Sequence, residues 1–104
     1  MTREQILKTE WNPEIDELCK NRMVQGFYSY GPRAENYGGG LVNARKQADA
    51  YLDMYDKTGN KEKLLDAINL LRCEYDFPSH KNPHFDATSD RGISEMTYRD
   101  LEGL

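Results

Sequence analysis

Hydrophobic residues recur at helical spacing in two long runs through the middle of the chain. In the first, Leu41, Ala44, Ala48, Tyr51, Leu52 and Tyr55 form a stripe, while Lys46, Asp49 and Asp53 fall outside it. That period predicts an amphipathic helix over about residues 41–58. In the second, Leu64, Ala67, Ile68, Leu71 and Tyr75 repeat in the same way, with Leu65 widening the stripe, and predict a helix over about 61–76. Thr58, Gly59 and Asn60 stand between them. Glycine tolerates the left-handed backbone that ends helices, and Asn caps the next one at once. So short a connection forces an antiparallel pair. The two stripes are expected to face each other, leaving Leu70 and Cys73 toward the back of the second arm.

A third helix is predicted from Pro13 to about Gln25. Asn12 is a favoured N-cap, Pro13 suits the first helical position, and Glu14, Asp16 and Glu17 complement the positive end of the helix dipole. Ile15, Leu18, Cys19, Met23 and Phe27 share one side, and Gly26 is expected to loosen the end. This helix is the natural cover for Leu70 and Cys73. Thr2 and Gln5 have the form of a capping box and predict a short helix to about Lys8.

Phe77-Pro78 ends the second arm, because the residue before proline is pushed out of helical space. Residues 79–91 read as loop, with Phe85 expected to fold back onto the core. Ser94 is a candidate cap for a last short helix carrying Met96, Tyr98 and Leu101, and residues 86–104 are expected to be a flexible tail. The fold class is therefore all-α: one domain over 1–104, a small helical bundle built on an antiparallel helical hairpin with a third helix packed on it.

Composition narrows the function classes. Charged residues make up 31% of the chain and hydrophobic ones 38%, which fits a thin helical layer with large solvated faces. The net charge of −4 argues against direct nucleic-acid binding, which needs clustered Lys and Arg. No apolar run approaches the roughly 20 residues of a membrane span, and no basic, apolar leader is present. A cytoplasmic protein with no membrane partner is expected. Cys19 and Cys73 lack any metal-ligand spacing and read as a reduced, core-like pair.

Three constellations carry candidate chemistry. Tyr28, Tyr30 and Tyr37 flank Gly31-Pro32, Arg33 and Asn36, and Gly38-Gly39-Gly40 closes the stretch. Glycine amides at a helix N-terminus can form an anion nest, to which Arg33 would add a contact and a tyrosine a stacking face. The alternative is a tight turn that lets two helices approach. No Lys-Ser/Thr follows the glycines and no predicted strand precedes them, so neither nucleotide-loop motif is present. The second constellation is acidic: Asp49, Asp53 and Asp56 on one arm, Glu62, Asp66 and Asn69 on the other. Both sets point away from the apolar stripes and read as solvated faces. The third, His80 and His84, is interrupted by Pro83 and has no further ligand beyond Asp86. No metal, cofactor or catalytic set is assigned.

The order Tyr30-Gly31, Asn36-Tyr37-Gly38-Gly39-Gly40, Tyr55-x-x-Thr58-Gly59-Asn60-x-Glu62, Leu65-Asp66-Ala67-x-Asn69, Glu74, Phe77-Pro78, His80 and Phe85-x-x-Thr88 resembles small accessory proteins of bacteriophages and prophages, mainly of Gram-positive hosts. The resemblance spans about residues 26–90. A looser likeness is to phage-encoded purine nucleotide diphosphohydrolases of helical fold. Those use histidines and acids within two helices, whereas the matching stretches here hold Asp49, Glu62 and Asp66 and no histidine, so no catalytic residue is carried over. The resemblance implies a noncatalytic protein that binds and inhibits a protein of the bacterial host, foremost a defence system such as a CRISPR nuclease. The alternative is a nucleotide-binding protein, either a sponge or a degenerate all-α pyrophosphohydrolase. In either case the expected binding residues are Tyr28, Tyr30, Arg33, Asn36, Tyr37, Gly38 and Gly39. A homodimer through the Leu70 and Cys73 face is a further expectation.

Overall fold

The computed structural model describes residues 1–87, and among these it contains helices and no strand. The elements are α1 (Arg3–Glu10), α2 (Pro13–Tyr30), α3 (Arg33–Asn36), α4 (Ala44–Thr58) and α5 (Glu62–Asp76). The predicted last helix at Ser94 and nearly all of the predicted tail lie outside the described residues. The protein is all-α, and its centre is the hairpin of α4 and α5, with α2 packed on α5.

Local signals explain most helix ends. Thr2 and Gln5 form the capping box of α1, each side chain bonding the other's backbone N–H. Asn12 Oδ1 accepts the Glu14 N–H at 3.0 Å, and Pro13 occupies the first turn of α2. Gly59, at φ +71°, ends α4 in the left-handed region, and its N–H bonds the Tyr55 carbonyl at 2.7 Å. Asn60 Oδ1 then accepts the Glu62 N–H at 3.0 Å.

Two ends differ from the sequence reading. Helix α2 runs through Gly26 to Tyr30 and stops at Gly31, whose φ of +81° together with Pro32 prevents continuation. One glycine in a long helix costs about 1 kcal/mol, too little to end it against the packing of the rest. Helix α4 begins at Ala44 rather than Leu41, which is exposed. The Val42 N–H turns back to the Asn36 carbonyl at 3.1 Å, and Asn43 Oδ1 caps the helix by accepting the Lys46 N–H at 3.0 Å.

The largest correction concerns which face of α5 is inside. Ala44 and Ala48 of α4 are buried with Leu70 and Cys73 of α5, and Met23, Tyr37 and Tyr51 pack around them. Leu70 and Cys73, placed toward the back by the periodicity, are thus in the core. Leu71 and Tyr75, placed in the seam, are exposed, and Leu64 and Ile68 are only half-buried. The reason is that α5 is the central helix. It presents Leu70 and Cys73 to the alanines of α4 and Asp66 and Asn69 toward α2, so its buried face is centred between two neighbours rather than on its most apolar stripe.

The seam between α2 and α5 is polar. Arg22 makes a forked pair with Asp66, Nε to Oδ1 at 3.0 Å and Nη2 to Oδ2 at 3.1 Å. Arg22 also reaches Glu62 at 3.5 Å. The buried Asn69 donates through Nδ2 to the Cys19 carbonyl at 2.8 Å. Asp66 is therefore an interhelical partner, its side chain only 14% exposed, and not part of a solvated acidic face. Asp49 and Asp53 do lie on such a face, paired along α4 with Arg45 and Lys57. Cys19 and Cys73 are buried free thiols. Phe27 and Phe85, both expected inside, are exposed.

Candidate functional site

The seven binding residues expected from the sequence fall on the end of α2, on α3 and on the loop leading to α4. Tyr28 and Tyr30 stand on the last turns of α2, 83% and 79% exposed. Asn36 donates through Nδ2 to the Tyr30 carbonyl at 3.0 Å and so ties α3 to the end of α2. Tyr37 is half-buried against the core, and its hydroxyl donates to Gln47 Oε1 at 3.3 Å. Burial pushes the Tyr37 phenol above the ordinary range.

Arg33 is committed within the chain. Its Nη2 pairs with Asp76 at 3.0 Å, its Nη1 lies 3.9 Å from Cys73 Sγ, and its guanidinium sits over the Phe77 ring at 5.4 Å. Burial opposes its charge, but the contacts with Cys73 and Asp76 prevail and hold it protonated above its usual value. Burial likewise pushes the Cys73 thiol up, with Arg33 partly offsetting it.

The glycines do not open α4. A Cβ at Gly38 would lie 2.4 Å from the Ala34 carbonyl oxygen and 3.3 Å from Phe77, and one at Gly39 would lie 3.0 Å from the Glu35 carbonyl oxygen. They permit a close turn over α3 and Phe77, and the Gly40 N–H bonds the Tyr37 carbonyl at 3.3 Å. The first turn of α4 lies beyond them and is capped by Asn43. Of the two readings of this loop, the tight turn describes the geometry, and the nest at a helix N-terminus does not form.

The structure adds residues that the sequence reading missed. Val24 and Phe27, 54% and 56% exposed, join Tyr28 at i, i+3 and i+4 on the outer side of α2, where the Phe27 and Tyr28 rings meet edge to face at 6.0 Å. The spacing of Val24 and Tyr28 carries this signal in the sequence, whereas Phe27, expected on the inner side with Met23, is exposed. Beside this patch, Met23, Arg33, Arg72, Tyr75 and Asp76 line an open cleft of about 340 Å³ between α2, α3 and α5. Both arginines of the cleft are paired, Arg33 with Asp76 and Arg72 with Asp16 at 3.7 Å. His80 and His84 are exposed and each bonds the backbone of Asn82. Among the described residues, no three His, Cys, Asp or Glu side chains gather where one metal ion would be held. No helix among them is long and apolar enough to cross a membrane.

This geometry defines a small helical bundle with an aromatic end. In comparison with known proteins, no family model, no curated protein and no solved structure matches the chain.

Proposed function

We propose that this protein is a noncatalytic accessory protein, of the phage-encoded kind its motifs resemble, that binds and inhibits a protein in the cytoplasm of the bacterial host. The partner this reading names is a component of a defence system, with a nuclease foremost. The observation that carries it is the exposed aromatic end of α2. Val24, Phe27, Tyr28 and Tyr30 spend apolar area on water, and contiguous exposed aromatic surface of this kind marks protein interaction sites. Tyrosine supplies large contact area at small entropic cost and is enriched at interface hot spots. The nucleotide-binding alternative loses its main support, because the glycine amides do not converge at the start of α4.

The test is infection of a defence-carrying host that expresses the full chain. The proposal expects plaque counts to rise, and the rise to be lost in a Phe27→Ala, Tyr28→Ala double variant whose helical signal is unchanged. Unchanged plaque counts, together with no defence protein retained by the immobilised chain, would sink it.

A further inference from the structure

Residues 32–42, which carry α3, hold themselves together. Among the described residues, every backbone-to-backbone hydrogen bond they make ends within the span: the Glu35 and Asn36 N–H groups on the Pro32 carbonyl, Tyr37 on Arg33, Gly40 on Tyr37 and Val42 on Asn36. Gly31 and Gly40, both at positive φ, stand near its two ends. What fastens the span to the hairpin is side chains. Arg33 reaches Asp76 and Cys73 and covers the Phe77 ring, and Tyr37 rests on the core cluster with its hydroxyl on Gln47. Asn36 braces the first pivot through the Tyr30 carbonyl. By contrast, α2 and α4 pack along α5.

We infer that residues 32–42 form a strap that swings off the hairpin as a unit while α2, α4 and α5 stay folded, with Arg33 as its latch. Two observations carry this. First, the strap breaks no backbone hydrogen bond to α4 or α5 on leaving, so the cost of opening is confined to the contacts of Arg33 and the partial burial of Tyr37. Second, the latch is open to water. The Arg33 and Asp76 side chains are 36% and 47% exposed, so solvent competes for both partners of the pair. The two cysteines sit differently with respect to this movement. Cys73 lies under Arg33 and Tyr37 of the strap. Cys19 lies in the seam of α2 and α5, its Sγ 4.0 Å from the Leu65 carbonyl oxygen, about three turns along α2 from the strap. Opening bares Cys73 and the Phe77 ring and parts the Arg33 and Asp76 walls of the cleft, while Cys19 stays covered.

Thiol labelling of the folded full chain tests the strap, with the peptide of each cysteine followed by mass spectrometry. Cys73 is expected to label at least about 10-fold faster than Cys19, at a rate nearly independent of urea below the unfolding transition, because a local opening exposes little surface. Arg33→Gln is expected to speed Cys73 about 10-fold, through loss of the ion pair and the ring contact, and to leave Cys19 and the helical signal unchanged. The direction is diagnostic. Arg33 partly offsets the burial that pushes the Cys73 thiol up, so its removal would by itself slow a reagent that needs the thiolate, and acceleration reports opening. Asp76→Asn, which leaves the ring contact in place, is expected to give a smaller gain of about 3-fold. Equal labelling of the two cysteines, rising together with urea, means that Cys73 is reached only by global unfolding and overturns the inference. So does an Arg33→Gln chain in which Cys73 is no faster, or in which Cys19 accelerates as much. None of these outcomes bears on the aromatic end of α2, which is tested separately by infection.

Discussion

The two seams of α5 are built from different materials. Toward α4 it closes over Ala44, Ala48, Leu70 and Cys73, small or branched side chains of which only the Cys73 thiol has a polar contact, with Arg33. Toward α2 it is joined by the Arg22–Asp66 fork and by the Asn69 bond to the Cys19 carbonyl, with the buried Cys19 thiol against the Leu65 carbonyl. An apolar seam draws its stability from area removed from water and is indifferent to partner identity. A polar seam adds little net free energy per bond but fails when one partner is removed, because the other is left buried and unsatisfied. The contrast suggests a division of labour: the α4 seam supplies stability, and the α2 seam fixes where α2, and so its aromatic end, sits.

That contrast can be broken most directly at Leu70. Leu70→Ala removes the largest side chain of the buried cluster and is expected to cost about 3 kcal/mol in chemical denaturation. A loss below about 1 kcal/mol would mean that the hairpin is not closed by this cluster.

At the polar seam, Asn69→Ala removes the buried bond to the Cys19 carbonyl, which keeps only its bond within α2, and is expected to cost about 1 kcal/mol. Amide exchange should also rise in α2 ahead of α4. Equal acceleration in both helices would erase the distinction between the seams.

Gly26 offers a gain of about 0.5–1 kcal/mol. It lies within α2 at a negative φ, and a Cβ there would meet nothing within 4 Å, so Gly26→Ala should raise the melting temperature. The same change at Gly38 should destabilise, since the added carbon would strike the Ala34 carbonyl.

The smallest effect is at the end of α5. The hydrogen bond from the Ser79 hydroxyl, at 2.6 Å, is the main cause that holds the Glu74 carboxyl below its usual range. A depressed carboxylate pKa stabilises the folded state above the unfolded value, and that contribution disappears as pH falls through the folded one. Acidification below the ordinary carboxylate range should therefore loosen the turn at Phe77–Ser79, read as faster amide exchange there. Glu74→Gln should remove that pH dependence.

Much of the secondary structure was legible because its causes are local. Thr2 with Gln5, Asn12 with Pro13, Gly59 with Asn60, and Phe77 before Pro78 act within a few residues of themselves, and each marks a helix end that the structure contains. The candidate loop was legible in part. Its tyrosines and glycines stand out in the sequence, but Arg33, expected to contact a bound anion, is held by Asp76 and Phe77, 40-odd residues away in sequence.

By itself the sequence determined that the chain is helical and where the hairpin turns, since helix period and capping chemistry are properties of a short window. Only the tertiary structure decided which side of α5 is buried. A helix between two neighbours orients by the sum of both contacts. Here Arg22 with Asp66 and Asn69 with the Cys19 carbonyl, together with the fit of Leu70 and Cys73 onto two alanines, outweigh the stripe from Leu64 to Tyr75. Hydrophobic periodicity counts apolar residues and cannot register a seam made by an arginine and an asparagine. That is why the most regular apolar stripe of the chain faces outward.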